Sequence, residues 1–166
     1  MWPQFRSWCS GFTLRGGGQI SVETILLVDD DANLRSVTQL IMKQAGYQVL
    51  TAGAGLEALQ IAKEYAGPIH LLVTDLIMPG MDGAELGRQI GSHRLGIPIL
   101  YVTAFAVAQL VGHEMLKRIV LEPGVPILAK PFSIEALEKS VREVLDRSYQ
   151  ASPLPVPPPR ERTEAD

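Results

Sequence analysis

The sequence predicts a doubly wound α/β fold, in which helices cover both faces of a parallel sheet. Two observations lead to this prediction. Short apolar segments alternate with helix-patterned segments between residues 24 and 148, and the apolar segments are continuous rather than alternating with polar residues. Continuous apolar strands are typical of parallel sheets that are buried on both faces. A chain of 166 residues with 46% hydrophobic and 20% charged residues is expected to form one domain around one core.

The elements of this fold follow from the apolar pattern along the chain. Apolar runs predict five strands, at residues 24–28, 47–52, 69–74, 97–103 and 125–129. Helical spacing predicts intervening helices at residues 32–45, 55–66, 84–92 and 105–121. Gly46 is suited to end the first helix, and Ser133 is a good N-cap for a last helix.

Three of the helices carry apolar residues at the spacing of one helical face, the pattern of a helix that packs on a core. These sets are Leu34, Val37, Leu40 and Ile41 in the first helix; Leu56, Leu59, Ala62 and Tyr65 in the second; and Leu137, Val141, Val144 and Leu145 in the last.

The two ends of the chain differ from this patterned region. Residues 1–23 are predicted to be a disordered extension, and residues 149–166 a disordered tail that is rich in proline and then in charge. The aromatic residues Trp2, Phe5, Trp8 and Phe12 fall close to one helical face, so docking on a partner or a membrane surface is the alternative for the extension.

Composition excludes several classes of protein. The net charge of −3 gives no sign of direct nucleic-acid binding, and the single cysteine, Cys9, excludes an intrachain disulfide and a cysteine metal cluster. No apolar run approaches the roughly 20 residues that span a bilayer, and the N-terminus is a poor signal peptide. We therefore expect a cytoplasmic protein without membrane insertion.

Charged and polar residues gather at the ends of the predicted strands. The first strand ends at Asp29 and Asp30, the third at Asp75, the fourth at Thr103 and the fifth at Lys130. In a doubly wound sheet these ends meet at one edge, where ligands bind. Two carboxylates at ~4 Å repel by about 1–4 kcal/mol, so three carboxylates and one lysine favour an added cation. Oxygen ligands suit Mg²⁺, and a carboxylate beside it can act as a nucleophile toward phosphorus.

Four phrases in this order and spacing, ILLVDDD, LLVTDLIMPGMDG, ILYVTA and ILAKPF, resemble the response-regulator receiver family. The resemblance covers roughly residues 24–146. It implies a flavodoxin-like sheet with strand order 2-1-3-4-5. It also implies a phosphoacceptor switch of two-component signalling, composed of a receiver domain at residues 24–148 and no attached output domain.

The resemblance also assigns roles to individual residues. Asp75 is implied to be the phosphoacceptor. Asp29 and Asp30 are implied to hold Mg²⁺ together with Asp75 and the backbone carbonyl of Ile77. Thr103 is implied to be the switch hydroxyl. Lys130 is implied to bind the phosphoryl group and to be followed by a cis bond to Pro131.

The implied partners are a sensor histidine kinase or a histidine phosphotransfer protein as donor, and an unidentified protein as target. Phosphorylation and dephosphorylation would be self-catalysed, without a turnover substrate, so we do not expect an enzyme. The cognate kinase, the target, the phosphoryl lifetime and the oligomeric state do not follow from the sequence.

Two departures from the family pattern leave alternatives open. Ile127 stands where a switch aromatic is usual, and the segment between Thr103 and Lys130 is several residues longer than is common. One alternative is an adaptor that acts without phosphorylation, which Ile127 mildly favours. The other is a small phosphohydrolase that uses Asp29 as nucleophile, although the further acidic pair that such enzymes need is not found.

Overall fold

The computed structural model of the chain describes residues 12–15, 19–104 and 125–151. Seven strands and four helices lie within these residues. The strands are β1 Phe12–Arg15, β2 Gln19–Val22, β3 Thr24–Val28, β4 Gln48–Ala52, β5 Leu71–Asp75, β6 Ile99–Ala104 and β7 Ile127–Lys130. The helices are α1 Ala32–Gln44, α2 Gly55–Glu64, α3 Gly83–His93 and α4 Ile134–Ala151.

Strands β3 to β7 form a five-stranded parallel sheet with the spatial order β4-β3-β5-β6-β7. Numbered from the first strand of this sheet, the order is 2-1-3-4-5, which confirms the predicted doubly wound topology. All five residues of β3, an interior strand of the sheet, are buried. A strand with both faces buried has no polar face to alternate with, which explains its continuous apolar sequence.

The core has two layers, one on each face of the sheet. Ile25 and Leu27 of β3 belong to the layer that contains Met42 of α1 and the apolar residues of α4. Leu26 and Val28 belong to the layer that contains the apolar residues of α2 and α3. Successive side chains of a strand point to opposite faces, so α1 and α4 cover one face, and α2 and α3 cover the other.

The predicted apolar faces are correct for α4 and partly wrong for α1 and α2. All four predicted residues of α4 are buried. In α1, however, Thr38 and Met42 are buried, whereas Val37 and Leu40 are 55% and 57% exposed. In α2, Leu56 is 73% exposed. In α1, the side of the helix that faces the sheet carries Thr38 and Met42 rather than the centre of the apolar arc. In α2, the buried residues are the small ones, Gly55, Ala58 and Ala62.

Parts of two described elements lie in the end segments for which disorder was expected. β1 and β2 form an antiparallel pair in which Phe12 lies opposite Val22, and α4 continues to Ala151. The β1–β2 pair was not predicted, because its strands of four residues are too short to give a clear periodicity. The predicted helix at residues 105–121, the aromatic residues before Phe12 and the proline run lie outside the described residues.

A buried ion pair joins α4 to the start of β3. Glu23 is fully buried just before β3, and its two carboxylate oxygens accept hydrogen bonds from Arg142 at 2.8 and 3.1 Å. Tyr47 is buried nearby, and burial raises the pKa of its phenol to about 12. None of the helices in the described ranges is long and apolar enough to cross a membrane.

Candidate functional site

The strand ends bring the predicted site residues to one edge of the sheet. Asp29 and Asp30 follow β3 directly, Asp75 is the last residue of β5, and Lys130 is the last residue of β7. Thr103 lies in β6, and the residue before it, Val102, is opposite Asp75 of the neighbouring strand β5. Parallel strands end at a common edge, so residues distant in sequence meet there.

The ammonium group of Lys130 joins two of the carboxylates. Its Nζ atom lies 2.7 Å from Oδ2 of Asp29 and 2.6 Å from Oδ2 of Asp75. The three side chains are 17%, 7% and 12% exposed, in the order Lys130, Asp29, Asp75. Burial lowers the pKa of Lys130, but its hydrogen bonds to both carboxylates outweigh this and hold the pKa above its ordinary value. The lysine is therefore a firmly charged donor at the centre of the site.

Backbone groups fix the other oxygen of each carboxylate. Oδ1 of Asp29 accepts from the N–H of Asp31 at 2.9 Å, and Oδ1 of Asp75 accepts from the N–H of Ile77 at 3.0 Å. The guanidinium of Arg35, in the first turns of α1, donates to the backbone oxygen of Asp29. Charge-assisted hydrogen bonds of this kind hold an ionised carboxylate in one orientation. The site is thus ordered by the turns that follow β3 and β5.

Three carboxylates form a candidate metal centre at this edge. Asp29, Asp30 and Asp75 each offer an oxygen atom, and these atoms lie within 4.8 Å of one another. Asp29 is buried, whereas Asp30 is exposed and open to a ligand from solvent. One ammonium cannot balance three negative charges, and an all-oxygen donor set is the kind that Mg²⁺ accepts. The residues present therefore fit a hard divalent cation.

Asp31 does not join this cluster. Its carboxylate caps α1 by accepting from the N–H groups of Asn33 and Leu34, and these hydrogen bonds, with Leu34 first, lower its pKa. The predicted carbonyl ligand of Ile77 stays a prediction, since the structure records only the N–H of this residue as a donor to Asp75.

Thr103 places a hydroxyl group in the interior, one residue after Val102, which lies opposite Asp75. Its side chain is buried, and its Oγ1 atom has no hydrogen-bond partner within the part of the chain that the structure describes. A buried hydroxyl without a partner costs about 1–3 kcal/mol, and such groups are infrequent in native structures. This unsatisfied hydroxyl makes Thr103 a candidate donor near the end of β6.

Gly83 packs against the loop that follows β5, and the sequence analysis did not single it out. A Cβ atom at Gly83 would lie 2.2 Å from the backbone oxygen of Asp75. The N–H of Gly83 donates a hydrogen bond to the backbone oxygen of Leu76 at 2.9 Å. Any side chain at this position would displace the backbone of Asp75. The turn-rich phrase that ends in Gly83 is a signal for this close approach, but it does not say which glycine is needed.

The remaining predictions concern β7. The Lys130–Pro131 bond is cis, as the resemblance implied. Ile127 is half-buried and pairs in register with Tyr101 of β6. Tyr101 itself is buried against the apolar residues Leu76 and Ala84. The aromatic side chain of Tyr101 is therefore on β6, next to β7, which is the strand where the family usually carries its switch aromatic.

Comparison with known proteins gives a consistent result. The family model for the response regulator receiver domain matches residues 25–142. The chain is 31% identical over 124 residues to the sensor kinase CckA of Brucella abortus (strain 2308), which covers 75% of this chain and 13% of that protein. It is 36% identical over 130 residues to the alkaline phosphatase synthesis transcriptional regulatory protein PhoP of Bacillus subtilis (strain 168), which covers 78% of this chain and 51% of that protein. The chain thus spans about half or less of these relatives.

Solved structures show the same likeness. The receiver domain from the hybrid histidine kinase CckA is 35% identical, with a TM-score of 0.60, and the match covers 74% of this chain and 98% of that domain. The receiver domain protein (CheY-like) from Methanospirillum hungatei JF-1 is 26% identical, with a TM-score of 0.67, and the match covers 80% of this chain and 100% of that protein. The residues matched by the family model include every side chain of the site described above.

Proposed function

Since this chain belongs to the response regulator receiver domain family, we propose that Asp75 accepts a phosphoryl group from a phosphohistidine on another protein. The domain is a receiver of the two-component type, and the proposal concerns which residues carry its chemistry. One observation supports the assignment above the others: the ammonium group of Lys130 bridges the carboxylates of Asp29 and Asp75. That bridge places a fixed cation at the oxygen atoms where a phosphoryl group would attach.

The transfer needs a deprotonated carboxylate in line with the phosphorus atom. An oxygen of Asp75 forms the new O–P bond, the P–N bond to the donor imidazole breaks, and the electron pair of that bond leaves with the imidazole. The protein contributes mainly positioning and charge neutralisation in such reactions. Its N–H donor at Ile77 orients the carboxylate, and Lys130 is placed to shift its hydrogen bond from Asp75 to a phosphoryl oxygen.

Asp29, Asp30 and Asp75 are the side chains that would hold Mg²⁺, and we include the carbonyl of Ile77 as a further ligand. The ion, when bound, neutralises negative charge on the carboxylates and on the phosphoryl oxygens. The buried hydroxyl of Thr103 is a donor for the same oxygens. Its move toward the phosphoryl group would convert a change at Asp75 into a change in β6 and in the loop that follows.

The proposed output is protein–protein binding, or onward transfer to a histidine on another protein. Sensor kinases and transcriptional regulators are among the relatives, which supports a histidine kinase or a histidine phosphotransfer protein as donor. The downstream target is an unidentified protein. Phosphorylation and dephosphorylation are proposed to be self-catalysed at Asp75, without a separate substrate that turns over.

The alternatives receive less support from the site. For a phosphohydrolase, Asp29 would be the nucleophile, but the chain matches the receiver family, and its sequence lacks the further acidic pair that such enzymes need. An adaptor that acts without phosphorylation would not explain why three carboxylates and Lys130 meet at one edge of the sheet. Ile127 is the one feature that favours the adaptor, and Tyr101 beside it weakens that argument.

The test is the intact mass of the protein after incubation with acetyl phosphate, with and without Mg²⁺. We expect wild type to gain one phosphoryl group in the presence of Mg²⁺ and Asp75→Asn to gain none. Asp31→Asn is the matched control, because it removes a carboxylate at the same edge while asparagine keeps the N-cap. Folded wild-type protein that gains nothing from acetyl phosphate or from a phosphohistidine donor would refute the proposal and leave the adaptor.

A further inference from the structure

Arg35 of α1 lies against the acidic turn that follows β3, which consists of Asp29, Asp30 and Asp31. Its guanidinium donates a hydrogen bond to the backbone oxygen of Asp29, and its backbone N–H donates to the backbone oxygen of Asp31 at 2.9 Å. The guanidinium is only partly exposed, so its hydrogen bond to a carbonyl oxygen is stronger than the same bond in water. Arg35 therefore holds the two residues on either side of Asp30.

The guanidinium of Arg35 occupies the space beside Gly53, the first residue after β4. A Cβ atom at position 53 would lie 3.2 Å from Nη1 of Arg35 and 3.5 Å from both Cζ and Nη2. A side chain at this position would therefore push the guanidinium away from Asp29. The residue before Gly53, Ala52, accepts a hydrogen bond from the N–H of Asp29 at 3.2 Å. The end of β4 thus supports the backbone of Asp29 directly, through Ala52, and indirectly, by leaving room for Arg35.

Asp30 is the carboxylate of the site whose direction depends on this turn. It is exposed, and within the ranges that the structure describes its carboxylate accepts no hydrogen bond. Asp29 and Asp75, in contrast, are held by Lys130 and by backbone N–H groups. The carbonyl of Asp29 belongs to the planar peptide group that leads into Asp30. A hydrogen bond that fixes this carbonyl therefore restricts the directions that the carboxylate of Asp30 can take.

We propose that Arg35 is a positioning residue for the divalent cation: through the carbonyl of Asp29, it keeps the carboxylate of Asp30 directed at the ion that Asp29 and Asp75 also bind. The inference rests on the proposed function, because it concerns the same acid cluster. Arg35 does not contact the ion and acts through the backbone. Removing a residue that orients a metal ligand typically weakens metal binding by roughly 10–100-fold.

Positioning and charge alone predict opposite results for the loss of Arg35. The guanidinium is a positive charge one hydrogen bond away from the backbone of a ligand residue. If only its charge mattered, removing it would relieve repulsion of the cation and would strengthen Mg²⁺ binding. If Arg35 orders the turn, removing it lets Asp30 take several directions, and Mg²⁺ binding weakens. The sign of the change in Kd for Mg²⁺ therefore distinguishes the two explanations.

The test is a Mg²⁺ titration of the isotope-labelled full chain without any phosphoryl donor, followed through the amide NMR signals of Asp30 and Ile77. We expect the Kd for Mg²⁺ to rise about tenfold in Arg35→Met. Arg35→Lys should recover only part of the affinity, because an ammonium group lacks the planar fork of the guanidinium. Arg88→Met is the matched control, since Arg88 is 53% exposed and pairs with Glu85 on α3. Its Kd should equal that of wild type.

Gly53→Val tests the same contact without changing any charge. Gly53 is not among the glycines with positive φ, so the backbone at this position accepts a side chain. The new side chain displaces the guanidinium of Arg35, so the Kd for Mg²⁺ should rise. The same substitution added to Arg35→Met should have no further effect. A purely structural role of either residue would not produce this coupling, and urea denaturation verifies that each variant is folded.

Three results would overturn the proposal. The first is a Kd for Arg35→Met that is equal to or lower than that of wild type. The second is an unchanged Kd in Gly53→Val, which decides the matter even if Arg35→Met does not fold. The third is an equal effect of Gly53→Val with and without Arg35. A wild-type protein that binds Mg²⁺ but gains no phosphoryl group would instead refute the proposed function and leave the role of Arg35 intact.

Discussion

Replacing Lys130 with glutamine removes the cation that joins two buried carboxylates of the site. Oδ2 of Asp29 and Oδ2 of Asp75 lie 2.7 and 2.6 Å from the ammonium nitrogen. Without it, two negative charges no more than 4.8 Å apart repel by about 3.5 kcal/mol at an effective dielectric constant of about 20. Breaking a buried ion pair by removing one partner typically costs about 3–5 kcal/mol. Because glutamine restores part of the hydrogen bonding, we expect a loss of about 3 kcal/mol in the free energy of unfolding.

Urea denaturation followed by circular dichroism measures this loss. With a urea m-value of about 2 kcal/mol per molar, the unfolding midpoint of Lys130→Gln should fall by about 1.5 M. Lys139→Gln is the control, since this lysine is 76% exposed and 3.9 Å from Glu143, a pair worth less than about 1 kcal/mol. Mg²⁺ should raise the midpoint of Lys130→Gln more than that of wild type, because the ammonium group no longer competes for the carboxylates. Equal midpoints for wild type and Lys130→Gln, or an equal effect of Mg²⁺ on both, would refute the electrostatic reasoning.

Three further predictions follow from contacts elsewhere in the domain. Gly83→Ala should reduce the rate of phosphorylation by acetyl phosphate, because its Cβ would displace the backbone of Asp75; an unchanged rate in mass spectrometry would contradict this. Arg142→Met should lower the free energy of unfolding by about 3 kcal/mol in urea titrations, because Glu23 is fully buried; a change below about 1 kcal/mol would contradict it. Burial raises the pKa of Tyr47 from 10.0 to about 12. Between these two pH values the folded state binds more protons than the unfolded state. The free energy of unfolding therefore falls as pH rises from 10 to 12. Tyr47→Phe should flatten this part of the stability profile, and an identical profile would exclude Tyr47 as its cause.

The sheet and the edge that carries the site could be predicted from the sequence for one physical reason. Parallel strands buried on both faces are continuous apolar runs, and the polar residue that ends each run lies at a common edge. Asp29, Asp75 and Lys130 are such residues, and the structure brings their charged groups within hydrogen-bond distance. Their phosphoryl chemistry stays a prediction, because the geometry of a carboxylate does not reveal what reacts with it.

Other features could not be predicted because they depend on contacts that the sequence does not encode locally. The apolar residues of α1 suggest a buried face, but the sheet contacts Thr38 and Met42 instead. The side of an amphipathic helix that meets the core is set by its neighbours, and here α4 occupies part of the same face of the sheet. The need for glycine at position 83 likewise arises from the backbone of β5, which approaches it across the fold.

The ion pair between Glu23 and Arg142 also affects how α4 is oriented on the sheet. It joins the middle of α4 to the residue just before β3, at the end of the sheet opposite to Asp75. A rotation of α4 about its axis would have to separate Arg142 from the fully buried carboxylate of Glu23, so the ion pair opposes such a rotation. The ion pair lies at the end of the sheet opposite to the acidic edge, so α4 keeps its orientation on the sheet when that edge changes.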